Sequence, residues 1–281
     1  MNVYMTKIRL IASDLDGTLL RNGAQRLRPD TCDLIRALSE KGILFMAASG
    51  RQYDNLERLF APVREKIVYL CQNGASACMQ DQLLFVRTMK KETADLLVDE
   101  IAETPDTELM VNDWQCCYVR EDNEAFYHIV NDVVGMHALA VPDLHAYTGR
   151  CSKISLYQEA GLHGIEYWQE KYGRDFTVVT GGAQWLDMMG KDVNKGTAMK
   201  EILRILSIPK EEILVLGDNL NDLEMMALAG LCATVPDGVK EVREAADTVV
   251  NTVEDMMKEI LLGKDEIEDW KGKGDKACGF M

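Results

Sequence analysis

None of the eight cysteines forms a C-x-x-C pair, no histidine lies at metal-ligand spacing from them, and no apolar run approaches the ~18 residues of a membrane span. A structural zinc site and a membrane-crossing helix are therefore not expected. Positive charge is also scarce, with 31 Lys and Arg against 46 Asp and Glu and a net charge of −15. A surface this acidic repels nucleic acid and anionic lipid, so neither is expected as a partner. An anionic substrate would have to be met locally, by a lysine, a helix N-terminus or a metal ion. The first ten residues carry Lys7 and Arg9 within their apolar part, and no signal-peptide core follows. There is no internal repeat and no low-complexity block. The cysteines, several of them in apolar runs, read as reduced, mostly buried thiols of a cytoplasmic protein. Alternation along a strand would separate the vicinal Cys116 and Cys117.

What is present is a length of 281 residues, enough for one large domain or two modest ones, and an ordinary globular composition of 47% hydrophobic and 27% charged residues. Short apolar runs alternate with helical patterns. Strands are expected at 8–12, 43–48, 67–71, 213–216 and 231–234, and helices at 28–41, 52–60, 195–206 and 222–228. Uninterrupted apolar strands joined by helices imply an α/β fold, a doubly wound parallel sheet covered on both faces. The middle of the chain, 85–187, has a different texture. It holds all four histidines and three of the four tryptophans, with mixed polar and apolar strands at 115–119 and 153–157. It reads as an inserted αβ domain between core segments 1–84 and 188–281. The charged stretch after Gly263 is expected to be loosely ordered.

Four segments carry chemistry. Asp14-Leu15-Asp16-Gly17-Thr18 places two carboxylates where the first strand runs into a turn. Like charges that close are costly unless a cation or a proton relieves them. A carboxylate can attack phosphorus, and a second carboxyl can protonate the leaving oxygen and later deprotonate water. The competing reading is an Asp-Gly hairpin turn. Ser49-Gly50-Arg51 follows the second core strand and suits an anion at a helix start, or is a Ser N-cap. Lys195-Gly196-Thr197 opens a helix, where the lysine can neutralise phosphoryl oxygens or lie in solvent. Gly217-Asp218-Asn219-Leu220-Asn221-Asp222 concentrates oxygen ligands suited to a hard cation such as Mg²⁺, or is an Asx-rich loop with a helix cap. All four fall at carboxyl ends of expected parallel strands or at the helix starts beside them, where open α/β sheets bind ligands.

In order and spacing these segments resemble the four motifs of the haloacid-dehalogenase-like phosphatases. They are most similar to the Cof-type branch, whose αβ cap is inserted between the second and third motifs. Cys71-Gln72-Asn73-Gly74-Ala75 is similar to an Asn-Gly-Ala stretch of that branch, although Asn73-Gly74 alone would make a type I′ hairpin turn. The resemblance implies a Rossmann-like core, a cap at 85–187 and a Mg²⁺ cofactor. It implies that Asp14 is the nucleophile and a metal ligand. Asp16 is the general acid/base and gives its backbone carbonyl to the metal, and Asp218 is the other metal carboxylate. The phosphoryl group is held by the Leu15 backbone N–H, Ser49, Gly50, Lys195 and Asn221, with Asp222 and Asn73 in support.

Two departures stand out. Val235-Pro236-Asp237-Gly238 replaces a Met-x-Asn-Ala stretch, and Asn251-Thr252-Val253-Glu254 stands where Asp-Gly-Val is usual. Pro236 removes a backbone donor at the rim. The expected activity is hydrolysis of small phosphorylated metabolites, sugar phosphates first, through an aspartyl-phosphate. The alternatives are a phosphomutase or phosphotransferase on the same scaffold, or a non-catalytic sugar-phosphate-binding protein. Lys153, Trp114 and Trp185 are candidates for recognition within the inserted domain. Each has a plainer reading: a solvated strand lysine, a loop aromatic, and a core or hinge residue. The substrate and the oligomeric state are not legible in the sequence.

Overall fold

The computed structural model describes residues 6–180 and 183–270. The chain divides into two compact units, Met1–Gly50 with Leu56–Leu84 and Asn194–Met281, and Arg51–Asn55 with Phe85–Val193.

The first unit begins with β1 (Leu10–Asp14), five residues all buried. Helix α1 (Thr31–Glu40) leads to β2 (Leu44–Ala48), and α2 (Tyr53–Leu59) to β3 (Ile67–Cys71), β4 (Ser76–Met79) and β5 (Gln82–Val86). The second unit contributes α3 (Lys91–Ala102), β6 (Glu108–Asn112), β7 (Cys117–Arg120), α4 (Glu124–His128), β8 (Ala138–Val141), β9 (Lys153–Tyr157), α5 (Ile165–Tyr172), β10 (Phe176–Thr180) and β11 (Trp185–Gly190). The chain then returns as α6 (Lys195–Leu206), β12 (Ile213–Gly217), α7 (Leu223–Met226), β13 (Leu231–Thr234), α8 (Lys240–Ala245), β14 (Thr248–Val249) and α9 (Val253–Leu261).

The core sheet runs β14-β13-β12-β1-β2-β3-β4-β5. It is parallel from β14 to β3, and β4 runs antiparallel to β3. Its central strands β1, β3 and β12 are buried at every residue, which fits strands covered on both faces. From β1 the chain first moves one way, to β2 and β3, and later the other way, to β12, β13 and β14. The reversal at β1 opens a crevice at the carboxyl ends of β1 and β12. Register brings the motifs level there: Asp14 pairs with Ala48, the residue before Ser49, and Ser13 pairs with Leu216, two residues before Asp218.

Several boundaries differ from the sequence reading. The first strand does not stop at Ala12 but continues through Asp14, because pairing with β2 persists to Ala48. The first helix begins at Thr31 rather than Arg28, since Pro29 disfavours helical backbone at the residue before it. The helix expected at 222–228 is a short 3₁₀ turn, Leu220–Asp222, followed by α7. The hairpin between β3 and β4 pairs Cys71 with Ser76, so its loop holds four residues, with left-handed backbone at Gln72 and Asn73. The stretch after Gly263 is ordered through Trp270. Asp265 accepts from Ile8 N at 2.8 Å, Ile267 N donates to Thr6 O at 3.0 Å, and Ile267 is buried. The remainder of that stretch, 271–281, lies outside the described residues.

The second unit is a six-stranded sheet, β10-β11-β9-β6-β7-β8. One face packs Leu97, Ile101 and Trp168 of α3 and α5 against Val111, Ile154, Leu156, Leu186 and Met188. The other packs Phe126 and Val130 against Met110, Cys117, Val119 and Tyr157. Cys116 belongs to the first cluster and Cys117 to the second, the separation that strand alternation demands. The described cysteines, Cys32, Cys71, Cys78, Cys116, Cys117, Cys151 and Cys232, are all free thiols.

Beyond Met110 and Tyr157 the second face turns polar while remaining buried. Gln52 Nε2 donates to Asn112 Oδ1 at 3.0 Å, and Asn112 Nδ2 to Ser155 Oγ at 3.1 Å. Ser155 Oγ donates to Asp187 Oδ1 at 2.7 Å, and Lys153 Nζ to Asp187 Oδ2 at 3.0 Å. Lys153 is thus a buried ion-pair partner, not a solvated lysine. Removing one member of such a pair strands the other charge away from water. Asp187→Ala should therefore lower unfolding stability by about 3–5 kcal/mol in urea titration. A loss under about 1 kcal/mol would mean that Lys153 escapes to solvent.

Candidate active site

Asp14 ends β1 and is 7% exposed. Its Oδ1 accepts from Lys195 Nζ, and its Oδ2 is buried with no hydrogen-bond partner. Lys195, the first residue of α6, is fully buried and also donates to Asp222 Oδ1 at 2.7 Å. The helix start is fixed by Asn194, whose Oδ1 accepts from Thr197 N at 2.7 Å. A β-carbon on Gly196 would lie 2.8 Å from Glu224 O, so only glycine lets α6 approach α7 closely enough for Lys195 to reach Asp222.

Asp222 is itself fully buried and saturated. Its Oδ2 accepts from the backbone N–H groups of Asp218 at 3.0 Å and Asn219 at 3.1 Å. The carboxylates of Asp14, Asp218 and Asp222 offer oxygens within 4.8 Å of one another. Since Lys195 and two amides already occupy Asp222, the oxygens left for a cation belong to Asp14 and Asp218. Asp218 Oδ1 accepts from Thr18 Oγ1 at 2.6 Å. Gly17 has φ +103°, and a β-carbon there would sit 2.3 Å from Asp218 Oδ2, so the Asp-Gly step is required both by its backbone and by the close approach of Asp218.

The electrostatics follow from this crowding. Burial pushes the Asp14 carboxyl up to about 8; Lys195 pulls it down, and Asp222 and Asp218 push it up again. Burial alone would lower the Lys195 ammonium, but Asp14 and Asp222 outweigh it and hold the lysine charged. An orphaned carboxylate oxygen beside a second carboxylate, both hard oxygen donors, fits a small divalent cation such as Mg²⁺.

The other expected residues gather next to this cluster. Ser49 is buried after β2; its backbone N–H donates to Leu70 O at 2.9 Å and its carbonyl accepts from Asn73 N at 3.0 Å. It lies four residues before α2, so it is not that helix's N-cap. Gly50 is exposed and abuts Asn73, whose Oδ1 accepts from Asn221 Nδ2 at 3.3 Å. Leu15 has its side chain in the core, and its carbonyl accepts from Leu20 N at 2.7 Å. Asp16 is exposed, at the turn that a bridge to Leu20 closes. It is not drawn into the buried carboxylate cluster, unlike Asp14, Asp218 and Asp222.

A family model described as haloacid dehalogenase-like hydrolase matches residues 11–256. The chain belongs to this family. Its fold agrees with that of other haloacid dehalogenase-like proteins. A crystal structure from Eubacterium rectale superposes with a TM-score of 0.82 at 25% identity, covering 90% of this chain and 99% of that one. The sugar phosphatase BT4131, described as a subclass IIB member, gives a TM-score of 0.69 at 20% identity over 90% of this chain and 97% of its own. In sequence, the chain is 24% identical over 247 residues to the Escherichia coli protein named 5-amino-6-(5-phospho-D-ribitylamino)uracil phosphatase YbjI, covering 85% of this chain and 89% of that protein. The Cof-type resemblance read from the motifs agrees with these relatives.

Sequence reasoning missed three residues of this haloacid dehalogenase-like site. Thr18 was visible within the first motif, but not as a hydrogen-bond donor to Asp218. Thr234 Oγ1 donates to the Gly217 carbonyl at 2.8 Å, and Val239 N to the Asp218 carbonyl at 2.8 Å. The last two flank Val235-Pro236-Asp237-Gly238, so the departing loop still anchors the backbone that carries Asp218. Only spatial proximity reveals that; no local motif announces it.

Proposed function

We propose that this chain is a Mg²⁺-dependent phosphatase that hydrolyses small phosphorylated metabolites, sugar phosphates foremost, through an aspartyl-phosphate at Asp14. The observation that carries the reading is the Asp14 carboxylate itself: one oxygen on a buried lysine, the other unpartnered, at the switch point of a parallel sheet. The names of the relatives support the substrate class, since one acts on a phosphorylated ribityl compound and another is a sugar phosphatase.

In the proposed reaction an Asp14 carboxylate oxygen attacks phosphorus and the ester P–O bond breaks. Asp16 gives its proton to the departing alkoxide. Asp16 then takes a proton from water, which attacks the aspartyl-phosphate and releases inorganic phosphate and free Asp14. Asp16 suits this role because it remains exposed to the solvent with which it must exchange protons. Lys195 offsets charge on the transferring group, and Ser49, Gly50, Asn221 and the Leu15 N–H orient it. Mg²⁺ would be held by Asp14, the Asp16 carbonyl and Asp218, and when bound supplies charge neutralisation. Asp222 acts by fixing Lys195 and the Asp218 backbone, and Asn73 by seating Asn221.

We further propose that the second unit serves as the cap that excludes water and selects the leaving group. Of the aromatic candidates, Trp185 is partly buried and packs against the core residues Tyr157 and Phe126. Trp114 sits 5.9 Å from Tyr53 and is the better candidate for touching a leaving group. A cytoplasmic location suits the free thiols, and no helix of the described residues is long and apolar enough to cross a membrane.

The test is phosphate release across sugar phosphates, nucleotides and cofactor phosphates, with and without Mg²⁺. Stoichiometric free phosphate without an isomeric sugar phosphate supports hydrolysis; an isomeric product would show a mutase instead. A second measurement needs no substrate. Millimolar Mg²⁺ should raise the melting temperature by about 3–8 °C at pH 8. The shift should shrink at pH 5.5, where protons compete for Asp14, and vanish in Asp218→Asn. An equal shift in that variant would mean that the ion binds elsewhere.

A further inference from the structure

Away from every motif, the second unit holds a cavity of about 510 Å³ formed by β6, α4, β9 and the segment after β9. That volume suits a small organic ligand. Its apolar wall is made by Phe126 and Tyr157, whose ring centroids are 5.5 Å apart. Tyr157 is 6% exposed, and among the described residues its hydroxyl has no hydrogen-bond partner, although the side chain lines the cavity. Burial and the nearby Glu159 charge push that hydroxyl's pKa up, so it stays protonated and able to donate or accept. The hydroxyl is not sealed from water, so a ligand entering the cavity can reach it directly.

The rim is acidic. Among the described residues Asp106, Glu108 and Glu159 line it with His163 at its edge and no lysine or arginine, although the Arg120 charge acts on Glu108 from nearby. Glu108 is half-buried and oriented by Asn123, whose Nδ2 donates to its Oε1 at 2.6 Å. These carboxylates do not converge as a metal site would: among the described residues the close-set group of that kind is Asp14, Asp218 and Asp222. Spread carboxylates over an aromatic wall match a cation with an extended apolar body, which a bare metal ion lacks.

We propose that this cavity binds a small aliphatic amine, its methylene body on Phe126 and Tyr157 and its ammonium groups at Glu108 and the neighbouring carboxylates. The Tyr157 hydroxyl accepts a hydrogen bond from one ammonium. The site is independent of the phosphatase reading, because none of its residues belongs to the Asp14 cluster.

The test is calorimetric titration of the full chain with spermidine, in 0.15 M salt containing saturating Mg²⁺ so that the amine does not report on the Asp14 cluster. An acidic protein attracts any polyamine, so the decisive comparison is between two equal charge changes. Glu108→Gln keeps the size of the side chain and its acceptor for Asn123. Glu244→Gln removes one exposed charge from α8, in the other unit. The expected result is a single site weakened about tenfold or more by Glu108→Gln and unchanged by Glu244→Gln. Absence of binding, or equal weakening by both, overturns the proposal. Tyr157→Phe should weaken binding more modestly while leaving the melting temperature within about 2 °C, since the ring packing is kept.

Discussion

Asp14→Asn should fold normally and lose turnover by a factor of about 10⁴ or more, measured as phosphate release under saturating substrate and Mg²⁺. The amide keeps the shape of the carboxyl and still offers Lys195 an oxygen, but it is no nucleophile towards phosphorus. A second consequence follows from burial. The folded protein pushes the Asp14 carboxyl up to about 8, so the native state holds that proton more tightly than the unfolded chain does. An acid with a raised native pKa lends stability that is fully present below its unfolded value, near 4, and is lost as pH climbs through about 8. The amide cannot ionise and escapes that loss. In metal-free buffer the stability of Asp14→Asn relative to the wild type should therefore rise between pH 5 and pH 8, read from urea midpoints. Turnover at the wild-type rate would reject Asp14 as the nucleophile. A stability difference that does not change with pH would show that the carboxyl is not perturbed in the metal-free protein.

Lys195→Met should be costly to both fold and chemistry. Methionine fills much the same volume, but the substitution leaves Asp14 and Asp222 facing each other in the core without a cation. Breaking a buried ion network from one side costs about 3–5 kcal/mol. Loss of the ammonium drives the Asp14 carboxyl further up, so the deficit should be smaller at pH 5, where a proton replaces the lysine, and larger at pH 8. Saturating Mg²⁺ should restore part of the stability by supplying charge beside Asp14. Catalysis should still fall by about 10²–10³, because the ammonium offsets charge on the transferring phosphoryl group. A variant as stable as wild type at pH 8 would contradict the buried network of Lys195, Asp14 and Asp222.

The four motifs were legible because each is local. A strand, a turn glycine and a helix start within a few residues announce themselves by residue type and spacing, as in Asp14-Leu15-Asp16-Gly17 and Gly217-Asp218. Periodicity placed 195–206, 231–234 and 153–157 on the residues the structure assigns. It failed where tertiary pairing overrode local preference, as when β1 was carried on through Asp14. It also failed at the stretch after Gly263, whose composition gives no hint that Asp265 and Ile267 pair with Ile8 and Thr6, just ahead of β1.

Residue types and spacing by themselves determined the α/β class and the family and singled out Asp14, Asp16, Lys195 and Asp218 as candidates, because those signals reside in short contiguous strings. Only the three-dimensional packing decided the rest. It buried Lys195 between Asp14 and Asp222, gave Thr18 and the loop around Pro236 the task of holding Asp218, and left one oxygen of Asp14 without a partner. It also paired Lys153 with Asp187 and set Tyr157 in the wall of an acid-rimmed cavity. These facts depend on distances between residues far apart in the chain, and burial sets their energetic weight: the same charges in water would interact too weakly to matter.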